Sequence, residues 1–264
     1  MAGASALSFI SRPSHNVKRS LLCVCIVLTA LPAYAIDKIY TPYVDAGEWE
    51  LEYFGQRSMD DNRAKDNAQT HELSVGYGAN DWWKTEFYGI WQKDVGDHVS
   101  FDAVEWENTF QFTKPGAYWA DTGATLAYEW TLDGNQADAV EARLLFAKNI
   151  GPTTNVLNLA LEKEVSGGTH DGLEASILWS SRYNYSPYLQ PGFEIQSALG
   201  EVNDAESADD QEHYIGPVAY GTLPFEVEGD HIEGLQYCLG YLFGVSDAAS
   251  DGQVVMQLEY EIDF

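Results

Sequence analysis

From Gly47 onward the chain alternates large apolar residues with acidic or small polar ones, and this repeated period of two leaves few folds open. Glu48, Glu50 and Glu52 interleave with Trp49, Leu51 and Tyr53; Glu72, Ser74 and Gly76 with Leu73, Val75 and Tyr77; Glu105, Glu107 and Thr109 with Val104, Trp106 and Phe110. A strand puts each set on its own face, whereas a helix would scatter both around its circumference. The pattern predicts twelve strands, near 47–58, 70–79, 83–94, 100–113, 118–132, 138–149, 154–165, 172–184, 189–200, 212–222, 233–246 and 252–264.

The connections decide between a closed barrel and a soluble sandwich. Those at Ala79 to Trp82, Lys114 to Gly116, Ile150 to Pro152 and Ser186 to Pro187 are short, whereas Met59 to Thr70, Val95 to Ser100, Asp133 to Asp138, Ser166 to Asp171, Glu201 to Glu212 and Ser246 to Gly252 are polar and mostly longer. The connection from Thr222 to His231 is expected on the short side despite its length. Tight turns at one end and loose loops at the other describe a membrane β-barrel better than a sandwich or a periplasmic binding barrel, whose inner faces share one core. Trp82, Trp83, Tyr118, Trp119, Tyr183 and Tyr185 fall beside the short turns, where an interfacial girdle would lie. The expected fold is all-β: a closed antiparallel transmembrane β-barrel of about twelve strands, both termini at the short-turn end.

The first 35 residues read separately. Arg12, Lys18 and Arg19 precede an apolar run from Leu21 to Leu31, and Ala33-Tyr34-Ala35 forms a small-residue cleavage site, which together predict a signal peptide over 1–35 and a barrel domain over 36–264. The run is too short to span a bilayer as a helix. Cleavage removes Cys23 and Cys25, leaving Cys238 without a partner for a disulfide. It also removes three basic residues and no acidic one, so the mature chain is more acidic than the formal −27 of the whole. Such a charge argues against nucleic acid as a partner.

The last strand places Met256, Leu258, Tyr260, Ile262 and Phe264 on one face, with Gln257, Glu259, Glu261 and Asp263 on the other. In this it resembles bacterial outer-membrane barrels, whose final strand ends on an aromatic residue read by the barrel-assembly machinery. Over Gly47 to Tyr53, Tyr77-Gly78-Ala79-Asn80-Asp81-Trp82-Trp83-Lys84, His213-Tyr214-Ile215-Gly216-Pro217 and Gly240-Tyr241-Leu242-Phe243-Gly244 the chain is similar to the proteobacterial outer-membrane proteins grouped with the phenol meta-cleavage pathway transporter-like family. The resemblance implies an outer-membrane location among lipid and lipopolysaccharide, and a small-molecule solute as cargo.

With the apolar face toward lipid, the opposite face lines the interior. That set contains Glu48, Glu50, Glu52, Glu72, Glu86, Glu105, Glu107, Glu129, Glu141, Glu162, Glu174 and Glu194, opposed mainly by Lys84, Arg143 and Arg182. Rings of carboxylates favour cations, so the expected function is a passive, porin-like channel for small polar or cationic solutes. The competing reading is a non-conducting structural or interaction barrel with acidic surface loops, in which the carboxylates only fill and solvate the interior. An outer-membrane phospholipase-like enzyme is weaker still: His71 and Ser74 have opposite strand parity, and no His is followed by Ser-Asn-Gly. Neither catalytic residues nor a cofactor or metal site are expected. The run Glu201, Asp204, Glu206, Asp209, Asp210 and Glu212 matches no calcium loop.

Overall fold

Strands with one apolar and one polar face are stable in a membrane only when the sheet closes on itself, because closure satisfies every edge N–H and C=O. The structure, a computed structural model, describes residues 38–132, 136–166, 172–204, 206–228 and 231–262. Its strands are β1 (Trp49–Met59), β2 (Gln69–Asn80), β3 (Trp83–Lys93), β4 (Ser100–Gln111), β5 (Asp121–Thr131), β6 (Asp138–Ile150), β7 (Thr153–Ser166), β8 (Glu174–Tyr183), β9 (Gln190–Glu201), β10 (Glu212–Glu228), β11 (His231–Gly244) and β12 (Gly252–Ile262). Each is antiparallel to the next, and β12 returns to β1 to close the barrel. The closing seam runs without interruption from Trp49 opposite Ile262 to Met59 opposite Gly252.

The parity read from sequence is the parity of the wall. Trp49, Leu51, Leu73, Val75, Phe87, Trp106, Leu126, Leu144, Leu161, Ile177, Leu239 and Phe243 are exposed, while their neighbours Glu50, Glu52, Ser74, Glu86, Glu107, Thr125, Arg143, Ser180, Leu242 and Gln253 are buried. This is the reverse of a water-soluble surface, on which carboxylates are outermost. Aromatic pairs line the outside: Trp49 with Tyr77 at 4.9 Å between centroids, Trp91 with Phe101 at 4.9 Å, and Phe87 stacked on Trp106 at 6.2 Å. Trp82, Tyr118, Trp119, Tyr183 and Tyr185 are all exposed at the short-turn end, and Trp83 donates its indole N–H to Asn108 at 3.0 Å. An apolar band bounded by such a girdle fits a hydrocarbon slab.

Two connections differ from expectation. The long link from Thr222 to His231 is not a loop: β10 and β11 keep pairing from Thr222 opposite Gln236 to Glu228 opposite His231, beyond the end of the β9 ladder at Tyr220 opposite Gln190. The hairpin overshoots its neighbours because β10 and β11 go on satisfying each other's backbone groups after the β9 partner has ended. The turn placed at Lys114 to Gly116 is instead a nine-residue connection, 112–120, with β5 beginning at Asp121. Tyr118 and Trp119 therefore belong to the turn, where Trp119 is 81% exposed. In the last strand Met256, Leu258, Tyr260 and Ile262 alternate with Gln257, Glu259 and Glu261 as expected. Phe264, the expected cleavage after Ala35 and the loop residues 167–171 lie outside the described residues.

The start of β1 and the end of β12 share the short-turn rim, as expected for the two ends of the barrel. The residues before β1 do not stay there.

Candidate functional site

Residues 38–46 fold back from the rim into the barrel. Gly47, at φ 87°, makes the reversal and donates its N–H to the carbonyl of Gly78 at 2.7 Å. Gly78 allows the close approach: a Cβ there would lie 1.8 Å from the Asp45 carbonyl oxygen. At the rim, the Val44 N–H donates to Gln111 Oε1 at 2.9 Å and the Tyr43 hydroxyl to Asp121 Oδ2 at 2.9 Å. Further in, Asn158 clasps the backbone of Tyr40 from both sides, accepting from its N–H at 2.7 Å and donating to its carbonyl at 2.9 Å. Pro42 is fully buried, and Ile39 packs on the apolar cluster of Leu178, Tyr214, Val218, Cys238, Leu242, Ala249 and Val255.

Lys38 ends this segment near mid-barrel. Its ammonium pairs with Glu52 and donates to the Tyr88 hydroxyl at 2.8 Å, and it lies 4.6 Å from the ring centroids of both Tyr40 and Tyr88. Arg143 donates to the Lys38 carbonyl at 3.1 Å and stacks over Tyr40 at 4.3 Å while bridging Glu141 at 2.8 Å. Lys84 bridges Glu50 at 2.5 Å and Glu86 at 3.6 Å. Glu52 also accepts from Gln257 at 2.9 Å, and Glu86 from Ser74 at 2.5 Å.

All the expected interior residues fall on the inward parity. Glu50, Glu52, Glu86, Glu107, Arg143 and Glu194 are buried, whereas Glu48, Glu72, Lys84, Glu105, Glu129, Glu141, Glu162, Glu174 and Arg182 are half-buried. Register adds what spacing could not, because carboxylates face one another directly across strands. Glu50 opposes Glu261, Glu52 opposes Glu259, Glu86 opposes Glu107, Glu105 opposes Glu129, Glu141 opposes Glu162, and Glu174 opposes Glu201. Like charges so placed destabilise a sheet unless cations sit among them. Lys84 does so near the short-turn end, and Lys38 and Arg143 further in. Lys38 is the interior cation that sequence reasoning missed, since it lies in the non-periodic stretch between the expected cleavage site and the first strand. The only cue was Tyr40-Thr41-Pro42-Tyr43-Val44, an apolar run with no strand period.

A second polar group lines the opposite wall. Tyr220 donates to Glu194 at 2.5 Å, Gln196 donates to the same carboxylate at 3.0 Å, and a relay runs from Gln56 to Gln253 to Gln196. Arg182 lies 5.5 Å from the Tyr220 ring.

The long-loop end is tied over on one side. Asp61 and Asp60 exchange hydrogen bonds with Asp251 at 3.1 Å, Lys65 caps the carbonyls of Asp247 and Ala249, and the Ala248 N–H reaches the Asp209 carbonyl at 3.0 Å. Among the described residues no three His, Cys, Asp or Glu side chains converge as a metal site. His71 bonds Tyr53 on the outer face at 2.8 Å while Ser74 bonds Glu86 inside, so the two form no nucleophile and base.

A closed twelve-stranded barrel with an apolar exterior and a charged interior has the architecture of the outer-membrane β-barrels. Among solved structures the chain is similar to the COG4313 outer membrane channel from Pseudomonas putida F1, with a TM-score of 0.58 and 13% identity over 83% of this chain and 97% of that one. It also aligns with a chain from work on the in-meso crystallization of membrane proteins, at 0.46 and 7% over 82% and 84%, and with a bacterial polysaccharide outer membrane secretin, at 0.40 and 9% over 83% and 99%. No family model and no curated relative matches the sequence.

Proposed function

We propose that the protein is an outer-membrane channel for small cationic or polar solutes, its interior an acidic path that residues 38–46 narrow from the short-turn side. The observation that carries this reading is the facing of carboxylates across the inner wall. Toward the long-loop mouth, Glu105 with Glu129, Glu141 with Glu162 and Glu174 with Glu201 would concentrate cations and turn away anions. The outer-membrane setting is supported by the apolar band and girdle, and by the fold shared with a channel. The packed mid-section favours a second reading, a barrel that stays shut and acts through its loops.

Planar bilayers separate the two. The mature protein is expected to conduct with a reversal potential favouring cations in a salt gradient, and the preference should fade as salt shortens the Debye length from about 10 Å at 0.1 M. Replacing Glu50, Glu72, Glu105, Glu107 and Glu129 with Gln keeps size and polarity and should move the reversal potential toward zero. An anion-selective parent, or undiminished selectivity in the variant, would reduce the carboxylates to filling.

Assembly is proposed to use the alternating apolar residues Met256, Leu258, Tyr260 and Ile262 together with the terminal Phe264, read by the barrel-assembly machinery. Deleting Phe264 is expected to lower the amount of folded, heat-modifiable protein in outer-membrane fractions, and unchanged levels would remove the assembly role.

A further inference from the structure

The surroundings of Lys38 have the composition of a ligand site. Its ammonium meets one carboxylate, one phenol oxygen and the faces of two tyrosine rings, each 4.6 Å away. Aromatic faces beside a carboxylate hold ammonium groups well, because the ring quadrupole attracts a cation and the ring surface accepts its alkyl stem. A small hard metal ion needs several oxygen ligands converging on one point, and among the described residues no three carboxylates do so. A second observation points the same way. Glu107 is 1% exposed, its Oε1 has no hydrogen-bond partner among the described residues, and it sits directly opposite Glu86, the inward neighbour of Tyr88, across the β3–β4 ladder. Burying an acceptor without a donor is costly, so this wall holds more acceptor capacity than its described hydrogen bonds use. Lys38 arrives from outside the sheet on a segment that belongs to no strand, whereas Glu52, Tyr88, Glu86 and Glu107 are fixed in β1, β3 and β4.

We infer that Glu52, Tyr88, Glu86 and Glu107 form a binding site for a primary alkylammonium cation, and that Lys38 fills it as a tethered internal ligand. The inference rests on reading the interior as a cation path and names the class of cation it selects: small amines and the terminal ammonium groups of polyamines. A free amine and Lys38 then compete for the same place. The tether gives Lys38 a high effective concentration, so the site is filled at rest and a free amine enters only where the Lys38 side chain gives way.

The test is chemical rescue. Lys38→Ala removes a three-carbon ammonium, which n-propylammonium restores. In the purified mature barrel, propylammonium chloride is expected to raise the thermal midpoint of Lys38→Ala well beyond the effect of equimolar sodium chloride, while the two salts act alike on the parent. Adding Glu52→Gln to Lys38→Ala should weaken the apparent affinity about tenfold. If Lys38→Ala does not fold unaided, refolding yield from urea becomes the readout, with propylammonium again compared with sodium. Equal effects of the two salts on Lys38→Ala, in midpoint or in yield, overturn the site. Neither readout needs a current. Rescue in a barrel that never conducts would sink the channel reading and leave the site, and conductance without rescue would do the opposite.

Discussion

Deleting residues 36–46, with Ala35 joined to Gly47, is expected to raise single-channel conductance by about an order of magnitude. The segment contributes nothing to the ladder, since β1 begins at Trp49 and its seams to β2 and β12 are complete without it. Its removal takes Lys38 and Tyr40 out of the interior further in and Pro42 out of the interior near the short-turn rim, each of them buried. Glu52, Glu86 and Glu107 lose a cation but regain water, so the wall keeps its fold and the path becomes more acidic. Cation selectivity should therefore rise along with conductance. Bilayer recordings of parent and deletion under one salt gradient measure both quantities. Unchanged conductance would place the barrier at the loops joined by Asp60, Asp61, Lys65 and Asp251.

The second large effect is on stability. Arg143 is 1% exposed and holds together the Lys38 carbonyl, the Tyr40 ring and Glu141. Arg143→Met keeps much of the bulk and removes the charge, leaving buried carboxylates short of a cation. Breaking a buried ion pair from one side costs about 3–5 kcal/mol, and because Glu141 is only half-buried the lower end of that range applies. A loss of that order is expected in the midpoint of a urea titration of the barrel in detergent or vesicles. Glu141→Gln in the same chain should recover part of the loss by removing the charge that Arg143 pairs. A single variant within about 0.5 kcal/mol of the parent would mean that water reaches this part of the interior and solvates the carboxylates without help.

The sequence by itself determined the strands, their closure and the side each residue takes. Lipid outside and polar groups inside impose a period of two on every segment, and that period is local, so Leu51 and Glu52 declare opposite faces without reference to the rest of the chain. Strand ends were legible where a turn residue punctuates the pattern, as at Gly151-Pro152. They were not legible where pairing ran on through a stretch holding Pro224 and Gly229, as in the hairpin from Thr222 to Gln236, or where aromatic residues sat in a turn, as at Tyr118 and Trp119. What only the tertiary structure decided is which interior groups meet. The opposition of Glu86 to Glu107 or Glu141 to Glu162 depends on register, and a shift of one residue would have turned those side chains to the other face. The return of Lys38 to Glu52, Tyr88 and Arg143 depends still less on local pattern. It joins Lys38, in a segment without periodicity, to a residue 105 positions away, and its reason is electrostatic: a closed wall rich in facing carboxylates needs cations inside it, and the chain supplies one from the segment before β1.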